Sequence, residues 1–278
     1  MNMSILQSVI MGLVSGFTTL LPVSSEAHRA ILRCLMGFDR EDGIVRLVIH
    51  FGALAAMLWL CQEEVSRLRR TKALLRIPPK RRKHQPDQMS VYTLRLLRTA
   101  MLLLVFGRLF TLQLMWIGKE LQILAFALVA NGVILLRPSL VANGNKDPRN
   151  MPRLDGMIMG LGAALSVIPG FSQMGGTLGF GISRGVDRKF ALKFACLLLI
   201  PGLLVHIIFD LVALFAAGGL ALSVTGVLHA LVCMVSCFAG CVLGYRLMNF
   251  LVFSTNFSAF SYYCFGAGLF SFILFLMI

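Results

Sequence analysis

Six apolar stretches, 44–61, 99–116, 121–136, 190–214, 224–247 and 259–278, alternate with short polar connections along this chain. A bilayer hydrocarbon core of ~30 Å is crossed by roughly 20 apolar residues in helical form. Each stretch is of that order, so six transmembrane helices are predicted. Two further apolar segments, 4–35 and 155–182, differ from the six in being interrupted near their middles by proline and small polar residues. The pattern therefore predicts an all-α integral membrane protein, with six transmembrane helices plus two re-entrant helical hairpins. The whole of 1–278 is expected to form a single membrane domain.

The charges sharpen this picture. Arg67, Arg69, Arg70, Lys72, Arg76, Lys80, Arg81, Arg82, Lys83, Arg95 and Arg98 crowd into 62–98, where Pro78, Pro79 and Pro86 also fall. Short basic connections mark the cytoplasmic side of a membrane protein. A second basic stretch, Arg137 to Arg153, follows two spans later and so lies on the same side. Residues 36–43 and Gly118-Lys119-Glu120 are then external, and both termini are expected outside. With this sidedness 4–35 must enter and leave from outside and 155–182 from inside. The chain thus divides into repeat 1, about 1–136 with the basic cytoplasmic loop 62–98, and repeat 2, about 155–278, related by inverted topology. Many transporters are built in this way, with their sites at the bilayer midplane.

The two interrupted segments resemble each other. The first reads Gly16-Phe-Thr-Thr-Leu-Leu-Pro22-Val-Ser24-Ser25 and the second Gly162-Ala-Ala-Leu-Ser-Val-Ile-Pro169-Gly170-Phe-Ser172. Proline halts a helix and leaves backbone groups in need of partners, which inside a membrane is tolerated only where protein or a wet cavity supplies them. After the first break come Ser24, Ser25, Glu26, His28 and Arg29; after the second, Ser172, Gln173 and Thr177. Hydroxyl, imidazole and cationic groups beside two helix N-termini suit an anion, phosphate in particular. The hydroxyls also have a purely structural role open to them, satisfying the backbone of the breaks. Glu26 and Asp210 are the acids expected within membrane-embedded segments, where ionisable groups are functional candidates. Asp210, with His206 one turn earlier, fits an interfacial role as well as a mechanistic one, and His50 fits packing as well as function. Arg108, in an apolar run, is a secondary candidate for phosphate contact.

Composition agrees. Of 278 residues 58% are hydrophobic and 14% charged, and the net charge is +14. Because the positive charge sits in membrane-flanking connections, it points to anionic membrane lipids and excludes nucleic acid as a partner. The seven cysteines lie in apolar surroundings without a CxxC pair, which argues for packing and against a disulfide framework or a zinc site. Cys233, Cys237 and Cys241 recur every four residues, and Gly240 with Gly244 forms a GxxxG, which predicts one close-packing helix face. A cleavable signal peptide is not expected.

These motifs carry a resemblance. Gly12 through Pro22-Val-Ser-Ser-Glu-Ala-His28, then Val48-Ile-His-Phe-Gly52, then Ile168-Pro-Gly-Phe-Ser-Gln-Met-Gly-Gly-Thr177, Gly181-Ile-Ser-Arg184, Phe194 and Ile200-Pro201 together resemble the undecaprenyl pyrophosphate phosphatases, the bacitracin-resistance family, over nearly the whole chain. The resemblance implies a bacterial plasma-membrane protein acting on a polyprenyl diphosphate, the lipid carrier of cell-wall (peptidoglycan) synthesis, and is compatible with a homodimer. Substrate contacts are expected at Ser24, Ser25, His28, Arg29, Gly170, Ser172, Gln173 and Thr177, of which Ser25, His28, Ser172 and Thr177, with Ser24 alongside, match the family's motifs. The resemblance also exposes a divergence. Active members of the family carry a Glu-x-x-x-Glu pair before the first motif and an arginine in the second; here those positions are Ser15, Thr19 and Gln173.

Removing one electrostatic partner of a transition state commonly costs ~3–4 kcal/mol. Loss of three charged groups therefore predicts a catalytically degenerate protein that still binds undecaprenyl phosphate or diphosphate and serves as a lipid-carrier transporter (flippase). The alternative is an active undecaprenyl-diphosphatase with Glu26 relocated into the site, His28, Ser25 and Ser172 as its catalytic partners, and Mg2+ or Ca2+ as cofactor. No residue is assigned as a metal ligand. An accessory scaffold for envelope enzymes is a third, weaker reading.

Overall fold

A computed structural model describes residues 3–38, 42–109, 121–218, 224–252 and 257–277, without the side chains of 108 and 109. Eleven α-helices are described: α1 (Ile5–Leu20), α2 (Ser25–Leu35), α3 (Gly43–Leu60), α4 (Gln62–Arg76), α5 (Gln88–Leu109), α6 (Leu121–Leu140), α7 (Arg153–Ala164), α8 (Gln173–Ser183), α9 (Arg188–Ala216), α10 (Val224–Leu251) and α11 (Ser258–Met277). Among the described residues there is no strand, only an isolated bridge between Lys146 and Val186. Six helices, α3, α5, α6, α9, α10 and α11, are long and apolar enough to cross a membrane. The chain is a multi-pass, all-α membrane protein.

The remaining apolar helices are short. At 1.5 Å per residue α1 is about 24 Å long and α2, α7 and α8 about 16–18 Å, below the ~30 Å of a bilayer core. They form two helix–break–helix units, α1–α2 and α7–α8, at the two interrupted segments. Their partners are exchanged between the halves of the chain: α1 packs on α10, whereas α7 packs on α5. α3 pairs with α9 and α6 with α11 in the same cross-half manner.

Small residues permit these contacts. A Cβ at Gly16 would lie 2.0 Å from the Cys237 carbonyl oxygen, and one at Gly240 would lie 2.2 Å from that of Leu13. Such distances require glycine, and they bring backbone against backbone, which is how helices gain dispersion energy where no water drives them together. Cys233, Cys237, Gly240, Cys241 and Gly244 are buried along this seam, so the close-packing face expected on α10 is present and α1 covers it. Large apolar side chains point outward elsewhere: Leu102, Phe106, Phe126, Val212, Val235 and Phe250 are each more than 60% exposed, an arrangement suited to lipid.

Two expectations change. The basic stretch 62–98 is not an open loop: α4 occupies 62–76, and α5 begins at Gln88, well before residue 99. Arg, Lys, Leu and Gln are good helix formers, so charge lowers the hydropathy without ending the helix. Only Pro78, Pro79 and Pro86 do that, and between them lies a single 3-10 turn, Pro79–Arg81. The distal end of the expected span 99–116, the turn at 118–120 and residues 39–41 lie outside the described residues, as does the Arg108 side chain.

A buried acid unanticipated from hydropathy closes the second hairpin at its base. Asp155, with no exposed surface, binds Lys146 Nζ at 2.6 Å and Arg184 Nε at 2.8 Å. Arg184 follows the end of α8 and Asp155 lies in the first turn of α7, so the pair ties the hairpin's two ends together.

Candidate functional site

Each break begins with proline chemistry and ends in a serine cap. α1 stops at Leu20, and Ser24, in an extended conformation, starts α2 by accepting the Ala27 N–H at 3.3 Å. In the second unit a 3-10 turn follows α7. Gly170 takes the positive φ of 103° that turns the chain, and Ser172 starts α8 by accepting the Gly175 N–H at 3.0 Å. The breaks meet. Ser172 Oγ donates to the Leu21 carbonyl at 3.3 Å. Asn131, fully buried on α6, donates from Nδ2 to the Pro22 carbonyl at 3.1 Å and accepts the Ser172 N–H on Oδ1 at 3.1 Å. One side chain thus satisfies a backbone group from each break, as burial demands.

A cavity of about 70 Å³ opens where the breaks converge. Thr19, Ser24, Ser25, Glu26 and Arg29 line it from the first unit, and Ser166, Ser172 and Gln173 from the second. His50 on α3 and His206 on α9 complete the polar wall, with Leu199 and Leu203 among its apolar residues. Ser25 Oγ donates to the Ser15 carbonyl at 3.0 Å, and Arg29, 4% exposed, reaches Ser25 Oγ at 3.4 Å. Thr19 Oγ1 donates to the same Ser15 carbonyl at 2.7 Å, and Ser15 Oγ donates to the Met11 carbonyl within its own helix. The two positions that resemble the family's glutamates therefore hold neutral hydroxyls folded onto backbone. Gln173 Nε2 donates to the Leu198 carbonyl at 3.2 Å, and its side chain occupies the space that a Cβ on Gly202 would need.

The expected residues thus divide. Ser24, Ser25, Glu26, Arg29, Ser172 and Gln173 come together at the cavity. His28, Gly170 and Thr177 are not among the described residues lining it. His28 is buried in the first turn of α2. Its Nδ1 lies 2.6 Å from the Ser24 carbonyl, which only accepts, so Nδ1 carries the proton, and Nε2 lies 2.6 Å from the Tyr263 hydroxyl on α11. Thr177 Oγ1 donates to the Gln173 carbonyl at 2.8 Å inside α8.

Asn131 and Tyr263 escaped the sequence reading. A lone asparagine in an apolar helix was the available signal for the first; nothing local marked the second. His50 and His206 had signals of their own, but their convergence with the breaks depends on tertiary structure. Behind them stands Asp210, 4% exposed, with Oδ2 2.6 Å from His50 Nδ1 and Oδ1 2.6 Å from Arg46 Nε.

Chemically, the cavity offers two capped helix N-termini, one buried guanidinium, several hydroxyls and two imidazoles, with the Glu26 carboxylate the acid on its wall. This equips it for an anion the size of a phosphate. Among the described residues no group of three or more His, Cys, Asp or Glu is placed to hold a metal ion, so the residues present do not form a protein cage for Mg2+ or Ca2+.

A polar cavity enclosed by membrane helices defines the class: a polytopic membrane protein with a buried polar cavity at the junction of its two breaks. Comparison with known proteins supplies the family. The model for bacitracin resistance protein BacA matches residues 8–270. The chain is 30% identical over 276 residues to undecaprenyl-diphosphatase 1 of Shouchella clausii, covering 98% of this chain and 96% of that protein. It is 31% identical over 211 residues to an undecaprenyl-diphosphatase of Methanobrevibacter smithii, covering 73% of this chain and 74% of that one. A third relative, from Trichormus variabilis, is 28% identical over 249 residues, 86% of this chain and 76% of that protein, and carries the same description. The chain belongs to the BacA bacitracin-resistance family.

Proposed function

We propose that this protein binds the phosphate head group of undecaprenyl phosphate or diphosphate in the cavity between the two breaks, and that its hydrolytic apparatus has been dismantled. The observation that carries this reading is the contrast within one cavity. A buried guanidinium, Arg29, stands beside the hydroxyls of Ser25 and Ser172 in the cavity, while the positions that hold charge in active relatives are the neutral Ser15, Thr19 and Gln173, each bonded to a backbone carbonyl. Positioned charge on the transferring phosphoryl group supplies most of the catalysis in such reactions, so a site short of it binds without turning over.

In this reading the short paired helices are re-entrant hairpins from opposite faces of a bacterial plasma membrane, with both termini outside. Support comes from helices too short to span and from the exchanged packing of the two halves. A head-group site at the junction of inverted repeats is suited to alternating access, and hence to moving the lipid carrier used in cell-wall synthesis between leaflets.

A second reading, hydrolysis by a rebuilt site, is favoured by one observation: Glu26 lines the cavity beside Ser25 and Ser172. Phosphate release from undecaprenyl diphosphate separates the two, measured on the purified protein with Mg2+, Ca2+ or chelator. The degenerate-site reading expects release at background level in the native protein and measurable release in a Ser15→Glu/Thr19→Glu/Gln173→Arg variant. Native turnover that disappears in Glu26→Ala would replace it with the enzyme reading.

A further inference from the structure

The cavity contains more titratable chemistry than the two motifs bring to it. His50 and His206 face each other across α3 and α9 with ring centroids 4.8 Å apart, and both line the cavity. His50 is 6% exposed and anchored from behind. A carboxylate oxygen accepts, so the contact with Asp210 Oδ2 places a proton on His50 Nδ1 and leaves Nε2 as the ring's second nitrogen, on the acceptor side of the tautomer. Arg46 holds the other Asp210 oxygen, which fixes the carboxylate's orientation. Four ionisable side chains therefore run in line, Arg46, Asp210, His50 and His206, and end at the site where phosphate is proposed to bind.

Charges of both signs face this end of the line. On α9 Asp210 attracts a proton to His50; on α3 Arg46 and on α2 Arg29 oppose it, and Glu26 of α2 favours it. From α1 and α8 the cavity receives the neutral Thr19 and Gln173, and α10 contributes the neutral thiol Cys237, whose Sγ donates to the Ile49 carbonyl. α4 meets α3 past Leu60, where Glu64 is already paired with Lys193. Two imidazoles at this separation titrate as a coupled pair, so the first proton hinders the second. A phosphate dianion entering the cavity adds negative charge beside both rings and shifts that balance toward protonation.

We propose that His50 and His206 are a proton-binding arm of the head-group site, positioned by Asp210 and Arg46, so that binding of a phosphate-bearing lipid takes up a proton into the cavity. This rests on the head-group reading above and adds to it what replaces the missing arginine at position 173: an imidazolium delivered from α3 and α9. The proton comes from solvent and is bound at an imidazole nitrogen; no covalent bond to phosphorus forms or breaks. Coupling of this kind gives head-group binding a pH dependence and links any movement of the lipid to movement of a proton.

The test is isothermal titration of the purified full chain in detergent with farnesyl phosphate, at pH 7.5, in two buffers of different ionisation enthalpy, so that the difference in heat counts the protons exchanged. The native protein is expected to take up a substantial fraction of one proton per ligand. His50→Gln and His206→Gln should each reduce that uptake and weaken binding by about tenfold, the loss of one charge-assisted hydrogen bond. Glu26→Gln should reduce the uptake less than either histidine variant, because the carboxylate faces the imidazoles without being the atom that binds the proton. Binding by the native protein with no proton exchange, or uptake abolished by Glu26→Gln and unchanged in both histidine variants, overturns the inference while leaving the head-group reading intact. Absence of any binding by a folded native protein overturns both.

Discussion

The first break opens into a helix that carries Glu26, His28, Arg29 and Arg33; the second opens into one, Gln173–Ser183, with no charged residue. At the level of backbone the two are alike: each has an apolar helix, a proline, a serine cap and a short second helix. They part company in chemistry. Backbone repeats answer the same demand, to halt a helix in a buried place without orphaning its polar groups. Side-chain charge answers to function, and here the helix after the first break carries charge while the one after the second supplies only N–H groups, hydroxyls and an amide. The halves also differ in how they are held. α1 lies in the Gly–Cys seam of α10, a dry contact, whereas the α7–α8 unit is closed by the ionic clasp of Lys146, Asp155 and Arg184.

The contact that joins the breaks offers the largest expected effect. Asn131→Leu leaves the Pro22 carbonyl and the Ser172 N–H buried without partners, at ~1–3 kcal/mol each. Thermal unfolding in detergent should fall by an amount corresponding to about 2–6 kcal/mol; an unchanged melting temperature would show that the breaks do not depend on each other.

Asp155→Asn should affect the second hairpin alone. A fully buried pair costs 3–5 kcal/mol to break, but Lys146 and Arg184 keep 30% and 44% of their side-chain surface exposed, so solvent screening reduces the expectation to ~1–3 kcal/mol. Hydrogen exchange should rise at 143–155 and 184–187 and stay level in α1–α2. Faster exchange in both hairpins would mean that the clasp supports the whole bundle.

The serine caps make a finer comparison. Ser24→Ala removes a cap worth about 1 kcal/mol. Ser172→Ala removes a cap and also the bond to the Leu21 carbonyl, so it should destabilise more, by roughly one further hydrogen bond of about 1 kcal/mol. Equal losses would remove Ser172 from the link between the breaks.

The smallest effect lies outside the membrane. The Ser90 hydroxyl, followed by the backbone N–H groups of Ser90 and Met89, holds the Asp87 carboxyl below the usual carboxylate range at the start of α5. A carboxyl depressed in the folded state contributes stability above its unfolded pKa of ~3.9, lost as pH falls through the folded value. Native protein and Asp87→Ala should therefore differ slightly at pH 6–7 and converge as pH falls past the ordinary carboxylate range and through the lowered folded value; a difference that grows on acidification would reverse the assigned sign.

Much of the fold was legible because the membrane simplifies the problem: apolar length gave the six spans, and Pro22 and Pro169 marked the breaks. Helix ends near charge were not, since Gln62–Arg76 is polar by composition and helical by propensity. At the site, Ser24, Ser25, Glu26, Arg29, Ser172 and Gln173 were readable from motifs. Asn131, Tyr263 and the joining of His50 to His206 were not, because each depends on which distant helices face one another. His28 shows the limit from the other direction. It sits in the right motif, yet its two ring nitrogens are engaged by the Ser24 carbonyl and the Tyr263 hydroxyl, and it is not among the described residues that line the cavity.

The central claim, one phosphate site shared by both breaks, is tested most directly by reversing the charge at its neutral side. Saturable binding of undecaprenyl phosphate to the native protein in nanodiscs should tighten in Gln173→Arg and weaken, by about tenfold or more, in Gln173→Glu, with both variants folded. Binding that is absent in the native protein, or indifferent to the sign of the charge at position 173, would contradict it.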